Sequence, residues 1–386
     1  MIQKEYLTGK VNSKTSITKR DYKGFTPQNI EQQNIKSDHT TVVNINYDRN
    51  DYDVHFIVSY DDRKDISEII VSGKYMEELS IPLNQFDDQY SIDIIDPEVS
   101  SNIEENAYYN IYMKSKYEYF QRTDGKSIKI PFKCRDFRSI QESIVQNPTS
   151  GGYLTKELID KFGLDSTNIG LGHPDFEPRP DSGNVILGMV KDTLGPDGLP
   201  VFNYSPFNTT ETTFNMWYRD IPGINITVDK ELDLLIGENN KISYEEGNIP
   251  NCEGFYPIDN EGFGNTHGYQ HNYGFTDDLC FYILYNGKGN IRIIGDDDIW
   301  LFINGKLAID LGGCHASTSK EIQIDGETTT KEINGTTYSY KYNSDFNIAE
   351  GQLVEVRIFH AERRATGSHF NLILRDLDVF ERKLKE

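Results

Sequence analysis

GDDDIWLFINGKLAIDLGGCH, residues 295–315, decides how the rest of the chain is read. Three adjacent aspartates, Asp296, Asp297 and Asp298, run into the apolar stretch Ile299, Trp300, Leu301, Phe302, Ile303. Asn304-Gly305 then interrupts it, and a second apolar stretch runs from Lys306 to Leu311. Asn-Gly between two apolar runs predicts a hairpin, because both central residues of a type I′ turn need positive φ. The expectation is therefore a β-hairpin with an acidic cluster at its mouth, closed by Asp310 and Gly312-Gly313. Side-by-side carboxylates repel one another unless a cation or solvent relieves them. Calcium suits such a group, since it takes several hard oxygen ligands in flexible geometry. A solvated acidic turn is the competing reading.

The pattern outside the hairpin is also one of short strands. Of 386 residues, 24 are Tyr and 20 Phe, and alternating segments separated by Asp, Asn and Gly recur along the chain. That texture predicts an all-β protein with loop-built binding surfaces. The length suits two domains. A formal net charge of −22 argues against nucleic acid or an anionic membrane surface as partner. No run of eighteen apolar residues is present, so no membrane span is expected, and the first 25 residues hold no apolar core of a signal peptide. Cys134, Cys252, Cys280 and Cys314 form no CxxC pair, which excludes the common zinc-ribbon spacings.

Residues 1–38 are polar and aperiodic and are expected to form an arm. Residues 39–133 hold about seven strand patterns, with DRNDYD (48–53) as the best turn, and predict a small β-sandwich domain. Residues 134–386 predict a second, larger β-sandwich with long loops and a short helix over 150–164.

Several stretches in this second part, taken in order, resemble the fibro-slime domain, which is itself similar to the β-sandwich domain first described in anthrax protective antigen. They are RDF (135–137), HPDFE (173–177), DGLPVF (197–202), FNMWYRDIPGIN (214–225), GFYPID and GFGN (254–265), HNYGFTDDL (271–279), the central hairpin, and HAERRATGSHFNL (360–372). The resemblance covers roughly residues 134–380 and implies a twisted antiparallel sandwich with a non-catalytic role in adhesion or carbohydrate recognition. In lectins of the wider group, two consecutive aspartates joined by a cis peptide hold calcium, and the ion meets sugar hydroxyls. Asp296 and Asp297 match that pair, with Asp298 assisting where the wider group often has Gly. Asn371 and Asp310 are candidates for the remaining ligand loop.

Other clusters carry competing readings. His267 and His271 are four apart, but Gly264, Gly268 and Gly274 disfavour the helix a zinc pair would need. His360 and Glu362 fall on one face of a strand pattern, where Glu362 is expected to pair with an Arg. Trp217 either stacks on a sugar ring or is buried beside an Arg219–Asp220 pair, and burial statistics favour the second. No carboxylate pair can be placed at glycosidase spacing from sequence, and no GxSxG, P-loop or HExxH occurs.

Two functions follow as expectations. One is a calcium-dependent protein of the cell or spore surface, or of the extracellular space, binding glycans or surface polysaccharide. The other is a structural subunit of a coat, surface layer or appendage. In that second role residues 1–133 mediate self-association or contact other coat proteins.

Overall fold

A computed structural model describes residues 4–137, 173, 175–176, 183–207, 209–248, 253–266 and 268–385. Among them the fold is all-β and divides into two compact units, residues 1–61 with 66–115, and residues 62–65 with 116–386.

The smaller unit holds β1 (Phe25–Pro27), β2 (Tyr47–Arg49), β3 (Asp51–Tyr60), β4 (Ser67–Lys74), β5 (Tyr90–Asp96) and β6 (Ala107–Ser115). Four of these form one sheet in the order β4-β3-β6-β5, with β3 and β6 parallel, while β1 and β2 pair as a ribbon. Alternate residues Val54, Phe56 and Val58 of β3 meet Tyr109, Ile111 and Met113 of β6 in the unit's core, as a period of two requires. DRNDYD is not a reversing turn. The chain breaks only at Asn50, whose N–H donates to the Gly24 carbonyl at 2.9 Å, and continues as β3.

The larger unit holds β7 (Tyr117–Phe120), β8 (Ser127–Phe137), β9 (Asn225–Ile236), β10 (Lys241–Tyr244), β11 (Phe275–Leu284) and β12 (Asn290–Asp296). It continues with β13 (Asp298–Ile303), β14 (Lys306–Leu311), β15 (Thr318–Gln323), β16 (Glu327–Ile333), β17 (Thr336–Asn343) and β18 (Ile348–Ala349). β19 (Leu353–Glu362), β20 (His369–Arg375) and β21 (Asp378–Leu384) complete it. A twelve-stranded sheet runs β14-β13-β19-β11-β8-β9-β10-β20-β12-β15, with β21 on β11 and β7 on β21. All its pairings are antiparallel.

The unit boundary falls at 115, not at 133. SIKIPF (127–132), read as the last strand of the first domain, is the first half of β8, which pairs with β9 from Ser127↔Leu235 to Phe137↔Asn225. Strand periodicity identifies a strand but carries no information about which sheet it joins. The expected helix over 150–164 lies outside the described residues. The described helix is a single turn, Glu211–Phe214, capped by Thr210, whose hydroxyl accepts the Thr213 N–H.

The central hairpin forms as read: β13 pairs with β14, and Asn304 and Gly305 have φ of 49° and 75°. β13 is buried at every position. Ile299, Leu301 and Ile303 enter the main sandwich core, while Trp300 and Phe302 enter a second cluster with Met189, Phe214, Trp217 and Phe359. That is why DIWLFI shows no polar alternation: loops cover its outer face as the sandwich covers its inner one.

Candidate functional site

The acidic site lies where the chain crosses between two distant parts of the large sheet. Asp296 ends β12 opposite His369 of β20, and Asp298 begins β13 opposite Ala361 of β19. Asp297 alone spans the crossing, and the Asp296–Asp297 peptide is cis. Gly295 lets the strands approach there, because a Cβ would strike the His369 carbonyl oxygen and the Ile299 side chain.

The three aspartates have different partners. Asp296 Oδ1 accepts the His369 N–H at 2.6 Å, and Asp297 Oδ2 accepts the Arg363 N–H at 2.9 Å. A backbone donor thus orients each carboxylate. Asp298 turns the other way. Its Oδ1 accepts the Gly313 N–H at 2.6 Å, and its Oδ2 pairs with Arg363 Nε at 2.5 Å. Arg363, 1% exposed, also donates to the Asp175 carbonyl at 2.9 Å and lies 4.9 Å from the Trp217 ring centroid. Asp298 is thus held in a buried ion pair in this structure, whereas Asp296 and Asp297 are each held by a backbone N–H.

Glu362, at the end of β19, completes the polar lining. Its Oε1 accepts the Arg364 N–H at 3.1 Å, and its carboxyl also hydrogen-bonds with the Ser368 side chain. Of the arginines beside Glu362, Arg363 pairs with Asp298. Burial first, then the charges of Asp297 and Asp296, hold the Glu362 carboxyl well above the usual carboxylate range. Burial also raises Asp296, and raises Asp297 to about 7 with Asp298 and Asp296 adding to it against Arg363.

A buried chain of hydrogen bonds supports the crossing from below. Cys134 Sγ donates to Asp277 Oδ1, Asp277 Oδ2 meets His360 Nδ1 at 2.8 Å, and His360 Nε2 meets the Asp296 carbonyl at 2.8 Å. Both imidazole nitrogens face oxygen acceptors, and although desolvation opposes it, Asp277 holds the His360 pKa above its ordinary value. The thiol meets the carboxylate, not the imidazole, and burial raises its pKa, so these three residues do not form a nucleophile–base pair.

These shifts set a pH dependence for the metal-free protein. A carboxyl whose pKa is higher folded than unfolded binds more protons when folded, so its ionisation favours unfolding. The His360 contribution has the same slope: full below about pH 6.5 and lost as pH rises through its folded value. His173, which burial lowers to about 3, has the opposite slope, but its effect is complete by about pH 6.5. In chelator, the melting temperature of the large unit is expected to fall as pH rises through about 7. A flat or rising profile in differential scanning calorimetry would contradict this electrostatic picture.

The remaining sequence candidates serve the frame. Trp217 is fully buried, and its Nε1 donates to Asp175 Oδ2 at 3.0 Å, so it offers no face to a sugar. Arg219 pairs with Asp197 at 2.6 Å and Asp220 with Arg135 at 2.9 Å, replacing the expected Arg219–Asp220 pair. Asp310 accepts from Trp300 Nε1 at 3.0 Å and from the Gly188 N–H at 2.7 Å, which ties the hairpin to a loop. Asn371 Oδ1 accepts the Glu246 N–H at 2.9 Å, while the Glu246 carboxylate takes the Phe370 N–H and His369 Nδ1. Asn371 thereby shapes the loop beside Asp296. His271 meets Asp259 at 2.6 Å and stacks on Tyr256 at 3.8 Å; His267 lies outside the described residues. Cys134 and Cys280 are free thiols, Cys314 is buried, and Cys252 is outside the described residues.

Glu362 is the residue whose place sequence reasoning missed. The signal was its shared face with His360 at the end of an otherwise apolar strand. Which neighbour Arg363 would choose was not readable from it.

No protein-family model matches the chain. Among curated proteins it is similar to Protein psiD of Dictyostelium discoideum, 27% identical over 215 residues, 52% of this chain and 38% of that protein. It is also similar to psiR of the same organism, 31% identical over 202 residues, 48% of this chain and 19% of that protein. The chain thus spans well under half the length of these relatives. Among solved structures, a PA14 domain of the MpAFP antifreeze protein matches at 15% identity and TM-score 0.17, over 30% of this chain and 46% of that one. A PA14 sugar-binding domain from an RTX adhesin matches at 15% identity and TM-score 0.18, over 29% of this chain and 53% of that one. By sequence, then, this chain is similar over about half its length to psi proteins of Dictyostelium discoideum.

Proposed function

We propose that this chain is a non-catalytic module of a cell- or spore-surface protein that binds glycans through a calcium ion held by Asp296 and Asp297. The observation that carries the reading is the pair itself: two adjacent carboxylates, each steered by one backbone N–H, with a third, Glu362, buried beside them. The order of fibro-slime-like motifs along residues 134–380 supports it. The donor set fits calcium, being made of hard oxygens. Among the described residues no three His, Cys, Asp or Glu side chains form a ready-made metal cage. Calcium takes about six to eight oxygens, so such a site leaves coordination positions for backbone carbonyls, water and vicinal sugar hydroxyls. Bound calcium would supply positive charge and a ligand-exchange position, while the protein residues hold and orient the two carboxylates.

A second reading, a coat or appendage subunit in which calcium is only structural, is favoured by the outer face of the small unit's sheet. Ile70 of β4, Tyr108 and Tyr112 of β6 and Ile94 of β5 are exposed in that sheet. No helix among the described residues is long and apolar enough to cross a membrane.

Calorimetric titration of the full chain with calcium, then a glycan array in calcium and in chelator, tests the first reading. Saturable calcium binding with glycan signals lost in chelator is the expected result. Calcium binding without glycan signals, together with concentration-dependent polymers in sedimentation, favours the second. Absence of calcium binding sinks the lectin-type mechanism.

A further inference from the structure

We propose that β4 is a self-association edge, pairing antiparallel with β4 of a second copy of this chain about a twofold axis at Val71. The inference rests on the reading as a coat or appendage subunit, names the surface it would use, and needs no calcium.

β4, Ser67–Lys74, ends the four-stranded sheet of the small unit, with β3 on one side and no strand on the other. An open strand edge is a template for another strand, and natural edges are usually blunted by charge, a bulge or a covering loop. The other sheet ends carry such devices. β5 places Asp93 and Asp96 on the opposite edge and shifts register between Ile92 and Ile94. β15 exposes Lys320 and Glu321, and loops bond to the β14 hairpin through Asp192, Leu194 and Ile186. β4 instead runs Ile69, Ile70, Val71, β-branched residues that favour pairing, and Ile70 is 52% exposed. Lys74 donates its N–H to Glu77 Oε2 at 2.8 Å, away from β3. By the alternation of an antiparallel ladder, the N–H and C=O groups of Glu68, Ile70 and Ser72 face the same open side. Among the described residues no bond outside the β3 ladder reaches these groups.

The strand is self-complementary in one register. With the two Val71 residues opposite each other, Ile70 meets Ser72, Ile69 meets Gly73, and Glu68 meets Lys74 of the second copy. Faces match as well. Glu68, Ile70, Ser72 and Lys74 are exposed, while Ile69, Val71 and Gly73 are half-buried on the other face. Within each copy Glu68 meets His55 at 2.8 Å and Lys74 meets Asp51 at 2.7 Å. A carboxylate has two oxygens and an ammonium three N–H groups, so each keeps room for the pair across the axis. Sliding by two residues loses the match: Glu68 falls opposite Ser72, or Ile70 opposite Lys74. The contact is isologous, so it closes at two copies and makes every pair twice.

The test is sedimentation equilibrium of the full chain, with folding of each variant checked by circular dichroism. Wild type should dimerise with the same constant in calcium and in chelator. Ile70→Pro removes an outward N–H and no ladder bond to β3, so it should fold and remain a monomer. Lys74→Glu sets like charges opposite each other twice and should weaken the dimer about tenfold. The exchange Glu68→Lys/Lys74→Glu restores opposite charges and should return most of the affinity, a rescue that a merely local role of Lys74 would not give. Weakening that the exchange does not reverse overturns the proposal. If Ile70→Pro does not fold, the charge exchange decides alone. A wild-type dimer whose constant stays within about twofold in Ile70→Pro and Lys74→Glu also overturns it and leaves the subunit reading standing. Loss of that dimer in Tyr112→Ser would then assign the contact to the exposed outer face. Wild type that stays monomeric up to about 0.1 mM overturns the proposal and the subunit reading together.

Discussion

Arg363→Met is expected to destabilise the large unit by about 3–5 kcal/mol, the usual consequence of leaving a buried charge without its partner. Asp298 is fully buried, and Arg363 is the cation paired with it. Without the guanidinium, Asp298 keeps the Gly313 N–H but loses its cation. The Asp175 carbonyl loses its donor, and Trp217 loses the cation stacked on its ring. Met fills similar volume, so the loss reports charge and hydrogen bonding more than a cavity. The double variant Arg363→Met/Asp298→Leu should recover most of that stability, because removing both charges also removes both desolvation penalties. Denaturant unfolding of the single and double variants checks this. A single-variant loss below about 1 kcal/mol would falsify the view that this pair fastens the corner.

Asp297→Asn should abolish calcium binding and leave the metal-free protein at least as stable as wild type. The side-chain amide oxygen still accepts the Arg363 N–H, so the loop keeps its anchor. What disappears is a carboxyl that burial and neighbouring charges already raise to about 7, a group whose ionisation favours unfolding. Wild type should gain stability with calcium by mass action, about 2.7 kcal/mol at a hundred times the dissociation constant, and the variant should gain none. Melting scans with calcium and with chelator separate the two. Equal calcium-induced shifts in both proteins would remove Asp297 from the site. Neighbouring residues thus carry opposite expectations: lost stability when the Asp298 pair is broken, and lost calcium binding at Asp297 under the proposed function.

Much of this was legible before any coordinates. Asn304-Gly305 announced the hairpin because a two-residue turn with positive φ is a local property. The motif order from RDF to HAERRATGSHFNL pointed to the sandwich, and the Asp296–Asp297 pair came from the same resemblance. The expected pairing of Arg219 with Asp220 failed because it depended on which partner a charged side chain would choose, and the choice was made with residues far apart in sequence. The pairing of Asp298 with Arg363 was decided in the same way. Trp217 was correctly favoured as buried, although its hydrogen bond to Asp175 joins residues 42 apart.

The sequence by itself determined the all-β class, the hairpin and the acidic run at its mouth, because alternation, turn chemistry and composition act over a few residues. Only the tertiary structure decided that β8 joins the large sheet, that Asp298 pairs with Arg363 while Asp296 and Asp297 take the His369 and Arg363 N–H groups, and that His360 braces the crossing. Strand pairing and the partners of buried charges are set by minimising unpaired polar groups over the whole sheet, and no single segment contains that sum.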